Sequence, residues 1–284
     1  MTFRPGTVSK ILWHFTGGPH WDTKTNKQLK KLKSATDGYS ALKNIIKSKE
    51  LRVGNYQEIF NVVVPKKRSY NLKTREIDIL KDHLVTVKSK EVCCVADIPL
   101  QHIAYHSNRY GKIAIGFHRD SIIKAGFNPV FYTLEDTSLL NEIYEGHDSL
   151  DDASTFDAEN EVDSSQSEID SLLEDCETDK FVDLSGIQSA LDYIQSSHHT
   201  IKKSFETFIA YIKTFDTSEF DTIYCEREWR STSNFKFTLD DIAIIVLPKK
   251  QEGEEGEDFY KKFLDEVDLP RTITVACWED LVEH

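Results

Sequence analysis

The chain has 284 residues, of which 39% are hydrophobic, 29% charged and 11% aromatic, so it is long enough to bury a sizeable core and is not composed like a disordered segment. A net charge of −13 excludes a uniformly basic surface for nucleic acid, but the charge is uneven: Asp151 to Asp179 carries no Lys or Arg, whereas Lys24 to Lys49 and Pro65 to Lys90 are rich in both. Cys93, Cys94, Cys176, Cys225 and Cys277 form no CxxC spacing and leave one over, and no apolar run reaches the roughly 18 residues of a membrane span, which together predict a cytoplasmic protein.

Lys10 to Thr16 (KILWHFT) is short, aromatic and β-branched, and Gly17, Gly18 and Pro19 close it, which predicts a buried strand. Tyr39 to Leu51 has apolar residues at helical spacing. Val92 to Ala96 reads as a strand, and Pro99 suits the first turn of a helix over Leu100 to Arg109. Ile113 to Phe117 predicts another strand, Arg119 to Ala125 a short helix, and Val130 to Thr133 a strand. From about 145 to 180 the Ser, Asp and Glu content predicts a solvated, mobile insertion. Two amphipathic helices follow over about 183–214, separated near His198 and His199. Strands are then expected at Thr222 to Arg230, Ile242 to Leu247 and Thr272 to Ala276, with a helix at Asp258 to Val267 before the last. The mixture lacks regular βαβ alternation and any Gly-rich phosphate loop. It predicts one α+β domain over 1–284 with an acidic helical insertion, flexible at about 145–180 and followed by the helical pair.

Glu226 and Glu228 lie two apart, and on a strand such residues share a face. Alternating charges of this kind are commonly solvated on an edge strand; the alternative is a pair of carboxylates turned into a cleft, where they would meet a polyhydroxylated or cation-developing substrate. His14 and Thr16 share a face in the same way, and imidazole and hydroxyl together suit ribose hydroxyls, although a histidine within a strand is more often a satisfied core residue. On a helix opened by Pro99, His102, Tyr105 and His106 fall on one side, where Tyr105 can stack on a flat ring. No HExxH glutamate or third ligand accompanies the two histidines, so no metal site is predicted. Cys93 and Cys94 sit in an apolar strand and read as inert thiols, and Lys66, Lys67, Arg68 and Lys73 read as a solvated basic loop.

His-x-Thr on an early strand, a strand-helix segment "CVADIPLQHIAY" and Glu-x-Glu near the end together resemble the ADP-ribosyltransferase fold, in particular its poly-ADP-ribose polymerase-like branch. That resemblance implies split mixed and antiparallel sheets flanked by helices, with NAD as substrate. It places His14 and Thr16 on an NAD ribose, Tyr105 against nicotinamide, and His102 where that branch has an amide-binding serine, a departure that bears on the amide contact. It gives Glu228 the developing oxocarbenium-like charge and Glu226 the incoming nucleophile. Val92 to Tyr132 and "YCEREWR", Tyr224 to Arg230, with the "WHFTGG" start, resemble the AbiGi family of abortive-infection phage-resistance proteins, described as the antitoxin of a pair. The resemblances imply ADP-ribosyl transfer to a protein or nucleic acid, or NAD hydrolysis where water is the acceptor. The rival expectation is a non-catalytic antitoxin or sensor of the same fold that binds a partner protein, its acidic segment meeting a basic surface. A nuclease finds no paired Asp/Glu-x-Lys metal site.

Overall fold

The computed structural model describes residues 9–22, 27–54, 56–64, 68–71, 74–79, 83–134, 137–153, 158–175, 185–219, 224–249 and 258–282. Lys66, Lys67, Lys73 and Cys176 lie outside them. The chain divides into two compact units, one formed by Met1–Gln57, Lys90–Leu134 and Ala210–His284, the other by Glu58–Ser89 and Glu135–Ile209.

The first unit is built on a seven-stranded sheet of β1 (Ile11–Phe15), β2 (Cys93–Ala96), β3 (Ala114–His118), β4 (Asn128–Pro129), β5 (Glu228–Ser231), β6 (Ile242–Leu247) and β7 (Thr274–Cys277). Its spatial order is β4-β5-β2-β1-β3-β6-β7, and every neighbouring pair is antiparallel except β6 with β7. Helices α1 (Ala35–Ser48), α2 (Ile103–Tyr110) and α3 (Arg119–Lys124) belong to the same unit, so the architecture is α+β with a mostly antiparallel sheet flanked by helices. Strand alternation sends Leu12 and Trp13 to opposite faces. Leu12 joins a large cluster with Leu42, Phe117, Phe235 and Phe263, and Trp13 a smaller one with Ile103, Val246 and Trp278. Gly116 stands opposite Trp13 in the β1–β3 register because a Cβ there would come within 2.6 Å of Ile11 and 2.9 Å of Ile244.

Local chemistry explains the elements that carry the site. Helix α1 starts where the Ser34 side chain accepts a hydrogen bond from the Asp37 N–H, and it buries Tyr39, Leu42 and Ile46 at helical spacing. Pro99 opens a 3-10 turn over Leu100–His102 before α2 begins at Ile103, and Gly111, at φ 80°, ends α2 in a conformation only glycine adopts freely. Of the expected strand from Thr222 to Arg230, Thr222 and Ile223 lie outside the described residues, and from Tyr224 onward it is regular only over β5. Tyr224–Glu226 is a 3-10 turn and Arg227 has φ 46°, which breaks the alternation between Glu226 and Glu228. Arg227 is held there by its own backbone C=O, which accepts from the Asp97 N–H at 3.1 Å, and by its guanidinium on the Asp97 carboxylate at 2.6 Å.

In the second unit two antiparallel strand pairs, Ile59–Val64 with His83–Lys88 and Arg68–Asn71 with Glu76–Ile79, accompany helices α4 (Ser138–Ala153), α5 (Ala158–Asp175) and α6 (Ser185–Ile209). The described residues of the acidic stretch are helical, in α4 and α5, and both helices pack on α6. The two helices expected to part near His198 and His199 are one 25-residue helix. No Gly or Pro interrupts it after Gly186, and the Thr200 hydroxyl donates back to the Ser196 carbonyl across the expected break. Among the described residues no helix is long and apolar enough to cross a membrane.

Candidate functional site

A cavity of about 320 Å³ in the first unit is lined by His14, His106, Tyr110, Lys213, Glu226 and Glu228, among others. The sheet order creates it: β2 separates β1, which carries His14, from β5, which opens with Glu228. His14 spans part of that gap with its ring, placing Nδ1 3.0 Å from the Cys94 carbonyl. A carbonyl only accepts, so Nδ1 carries the proton and Nε2 is left as an acceptor. Burial, partly offset by that bond and assisted by Lys33, lowers the pKa of His14 and favours the neutral ring.

Glu228 and Arg230 are the residues that strand alternation brings together. The guanidinium meets the carboxylate through two bonds, Nε to Oε1 at 2.8 Å and Nη2 to Oε2 at 3.1 Å, while Nη1 donates to the Ala210 and Ile212 carbonyls. Lys213 Nζ lies 3.3 Å from Glu228 Oε2 and donates to the Tyr56 hydroxyl at 3.0 Å. Burial alone would oppose ionisation of Glu228, but Arg230, then Lys213, outweigh it and hold the carboxyl well below the usual carboxylate range. Glu226 moves the other way. Burial, reinforced by the charge of Glu228, raises its pKa against the pull of Lys213 and Arg109, while the Tyr110 hydroxyl donates to Oε1 at 2.7 Å. Two carboxyl groups on one cavity thus have their proton affinities pushed apart, the arrangement by which a site keeps a fixed anion beside a stronger base.

The aromatic wall is His106, whose ring centroid lies 4.8 Å from Tyr110 and 5.3 Å from Phe15. Burial, then the nearby Arg109, lowers the pKa of His106 from 6.5 to about 4, against a weaker opposing effect from Glu228. Between those values the unfolded chain binds a proton that the folded chain refuses, so the stabilisation is complete above pH 6.5 and is lost as pH falls toward 4. The loss is about 3 kcal/mol. In urea unfolding followed from pH 7 to 4, His106→Gln is expected to lose correspondingly less stability than the wild type; an identical pH slope in the two would contradict a buried neutral imidazole.

Of the residues singled out in the sequence, His14, Glu226 and Glu228 meet on the cavity, with His106, Cys93 and Cys94 also on its lining, and Thr16, His102 and Tyr105 do not line it. Thr16 is buried, with its hydroxyl directed to the Ile113 carbonyl at 3.5 Å. Tyr105 is 53% exposed. The inward face of α2 is set by Ile103, His106, Ser107 and Tyr110, at i, i+3, i+4 and i+7, and Tyr105 lies about 100° away from His106. His102 ends the preceding 3-10 turn rather than belonging to that face, and its ring is exposed beside Gln101. Sequence reasoning missed Tyr110, Lys213 and Arg230. The helical face was available as a signal for Tyr110, and the i, i+2 rule for Arg230; for Lys213 the one hint was a lysine in the apolar run from Ile212 to Phe215. Among the described residues no group of three or more His, Cys, Asp or Glu is placed to hold a metal ion.

Residues 57–266 match the family described as "Putative abortive phage resistance protein AbiGi, antitoxin". The matched span takes in Tyr110, Lys213, Glu226, Glu228 and Arg230 and begins after His14. No curated protein and no solved structure matches the chain. The match covers well over half of the residues, and the chain belongs to the AbiGi family.

Proposed function

We propose that this member of an abortive-infection family consumes NAD in the cytoplasm, transferring ADP-ribose to an intracellular macromolecule from an ADP-ribosyltransferase-like fold. The observation that carries the reading is the pair of carboxyl groups with opposed proton affinities, Glu228 and Glu226, on the same cavity as His14. At about 320 Å³ the cavity is at the lower end of small-molecule sites, about 300–1,000 Å³, and suits the nicotinamide-ribose half of the dinucleotide. Lys33 and Arg52, also on its lining, supply positive charge for the pyrophosphate.

The chemistry follows from charge. The bond from ribose to the nicotinamide nitrogen breaks and its electron pair leaves with the ring, so positive charge moves from the ring to the sugar. Glu228, held anionic by Arg230 and Lys213, stabilises that sugar, and the cost of orienting the carboxylate has already been met in folding. The acceptor adds to the same carbon and gives its proton to Glu226, whose raised pKa makes it a stronger base than an ordinary carboxylate. Neutral His106 and Tyr110 take the stacking role first expected of Tyr105. A protonated imidazole would repel the cationic nicotinamide, and burial keeps His106 uncharged. His14 Nε2 accepts from a ribose hydroxyl.

The test is purified full chain with NAD labelled in its adenylate half, with and without cell extract. Free nicotinamide together with label on protein, DNA or RNA is the expected result. Nicotinamide without a labelled macromolecule identifies water as the acceptor and the chain as an NAD glycohydrolase. Intact NAD under every condition removes the enzyme reading. The family description favours one second reading, a non-catalytic antitoxin of the same fold that binds its toxin; it predicts intact NAD and a stable complex with that protein.

A further inference from the structure

Helix α6 in the second unit carries Ile187, Ile194, Ile201 and Phe208, seven residues apart each time and 54%, 60%, 56% and 50% exposed. A seven-residue step returns a helix to within about 20° of the same direction, so the four form one stripe about 30 Å long. The neighbouring face, with Leu191, His198 and Phe205, is partly covered, and the Phe205 ring lies 6.1 Å from His147 of α4. On the other side of the stripe stand Ala190, Ser197 and Ser204, small residues that let a second backbone approach closely. Large residues at one heptad position and small ones three places on are half of a helix-helix seam.

We propose that this seam docks a basic amphipathic helix of another protein. The occupant is chosen by charge. Helices α4 and α5, which pack on α6, hold twelve Asp and Glu and no Lys or Arg, whereas α6 itself holds two acidic residues and two lysines, so the three-helix group that carries the stripe is strongly acidic and its acidity comes from α4 and α5. A second copy of this chain would bring the same acidity and be repelled. A helix with Leu or Ile at heptad spacing between rows of Lys and Arg satisfies stripe and surface at once: the apolar contacts provide affinity, and the charges provide approach and partner choice. The proposal is independent of catalysis in the first unit.

The probe is a synthetic peptide of about four heptads with Leu at positions a and d and Lys at e and g, compared with one carrying Glu at e and g. Fluorescence anisotropy with the full chain is expected to show binding of the Lys peptide and none of the Glu peptide. The double variant Ile194→Ser/Ile201→Ser, neutral and at exposed positions, is expected to weaken Lys-peptide binding roughly ten-fold or more, with an unchanged circular dichroism spectrum. Equal binding to the variant would mean that charge alone attracts the peptide, and would overturn the proposal, as would no binding to the wild type. Sedimentation of the wild type as a dimer that the variant abolishes would overturn it too, by showing the stripe covered by a second copy.

Discussion

Glu228→Gln is expected to cut nicotinamide release from NAD by about 10²–10³-fold, the usual consequence of removing one preorganised electrostatic group from a reacting centre. The neutral amide cannot balance positive charge on the sugar, although it fills the same space. The same change also weakens the fold, because Arg230 is 0% exposed and loses its anionic partner. Turnover therefore has to be compared well below the unfolding temperature of the variant, with folding checked by circular dichroism. Glu226→Gln is the companion measurement. Its amide keeps an acceptor for the Tyr110 hydroxyl but cannot take a proton from the nucleophile, so its loss should depress transfer to the acceptor more than nicotinamide release. Release at the wild-type rate from folded Glu228→Gln would eliminate oxocarbenium stabilisation by this residue, and with it the proposed mechanism.

The sequence was most legible where one local rule acts alone. The apolar strand around His14, the capped helix after Ser34 and the run from Ile242 to Leu247 each follow from composition and spacing, and each forms nearly where expected. His14 and the two glutamates stood out in the sequence by type and order, and the fold brings all three to one cavity. Tyr105 was misplaced by a single rotation: the 3-10 turn after Pro99 shifts the start of α2 to Ile103, and spacing read from the proline turns the wrong residue inward. The bond between Glu226 and Tyr110 joins residues 116 apart in the chain and is invisible to any periodicity. The strand pairs within 59–88 escaped notice because their charged residues outweighed the short alternation of Val and Ile. In α6 the polar run from Ser196 to Thr200 resembled a break, but with no Gly or Pro there the helix continues through it.

Arg230→Leu is expected to destabilise the chain by about 3–5 kcal/mol, since it strands a buried carboxylate. It also removes the donor to the Ala210 and Ile212 carbonyls. Burial cost and pairing gain can be separated by adding Glu228→Leu: if the pair owes its effect to mutual compensation, the double variant should lose less stability than the two single variants summed, by about 1–3 kcal/mol in urea unfolding. Full recovery is not expected, because Lys213 then keeps Tyr56 but no carboxylate from Glu228. The pH dependence gives an independent sign. Glu228 has a folded pKa below its ordinary 4.5, so its contribution is present above that value and disappears as pH falls toward the depressed one. In Arg230→Leu much of the depression is gone and the carboxyl takes up a proton readily, so the deficit against wild type should be largest near pH 7 and shrink below pH 4.5. A deficit that stays constant across that range would mean that Arg230 acts through packing and its two carbonyl bonds alone, leaving Glu228 without the fixed negative charge that the transfer chemistry requires.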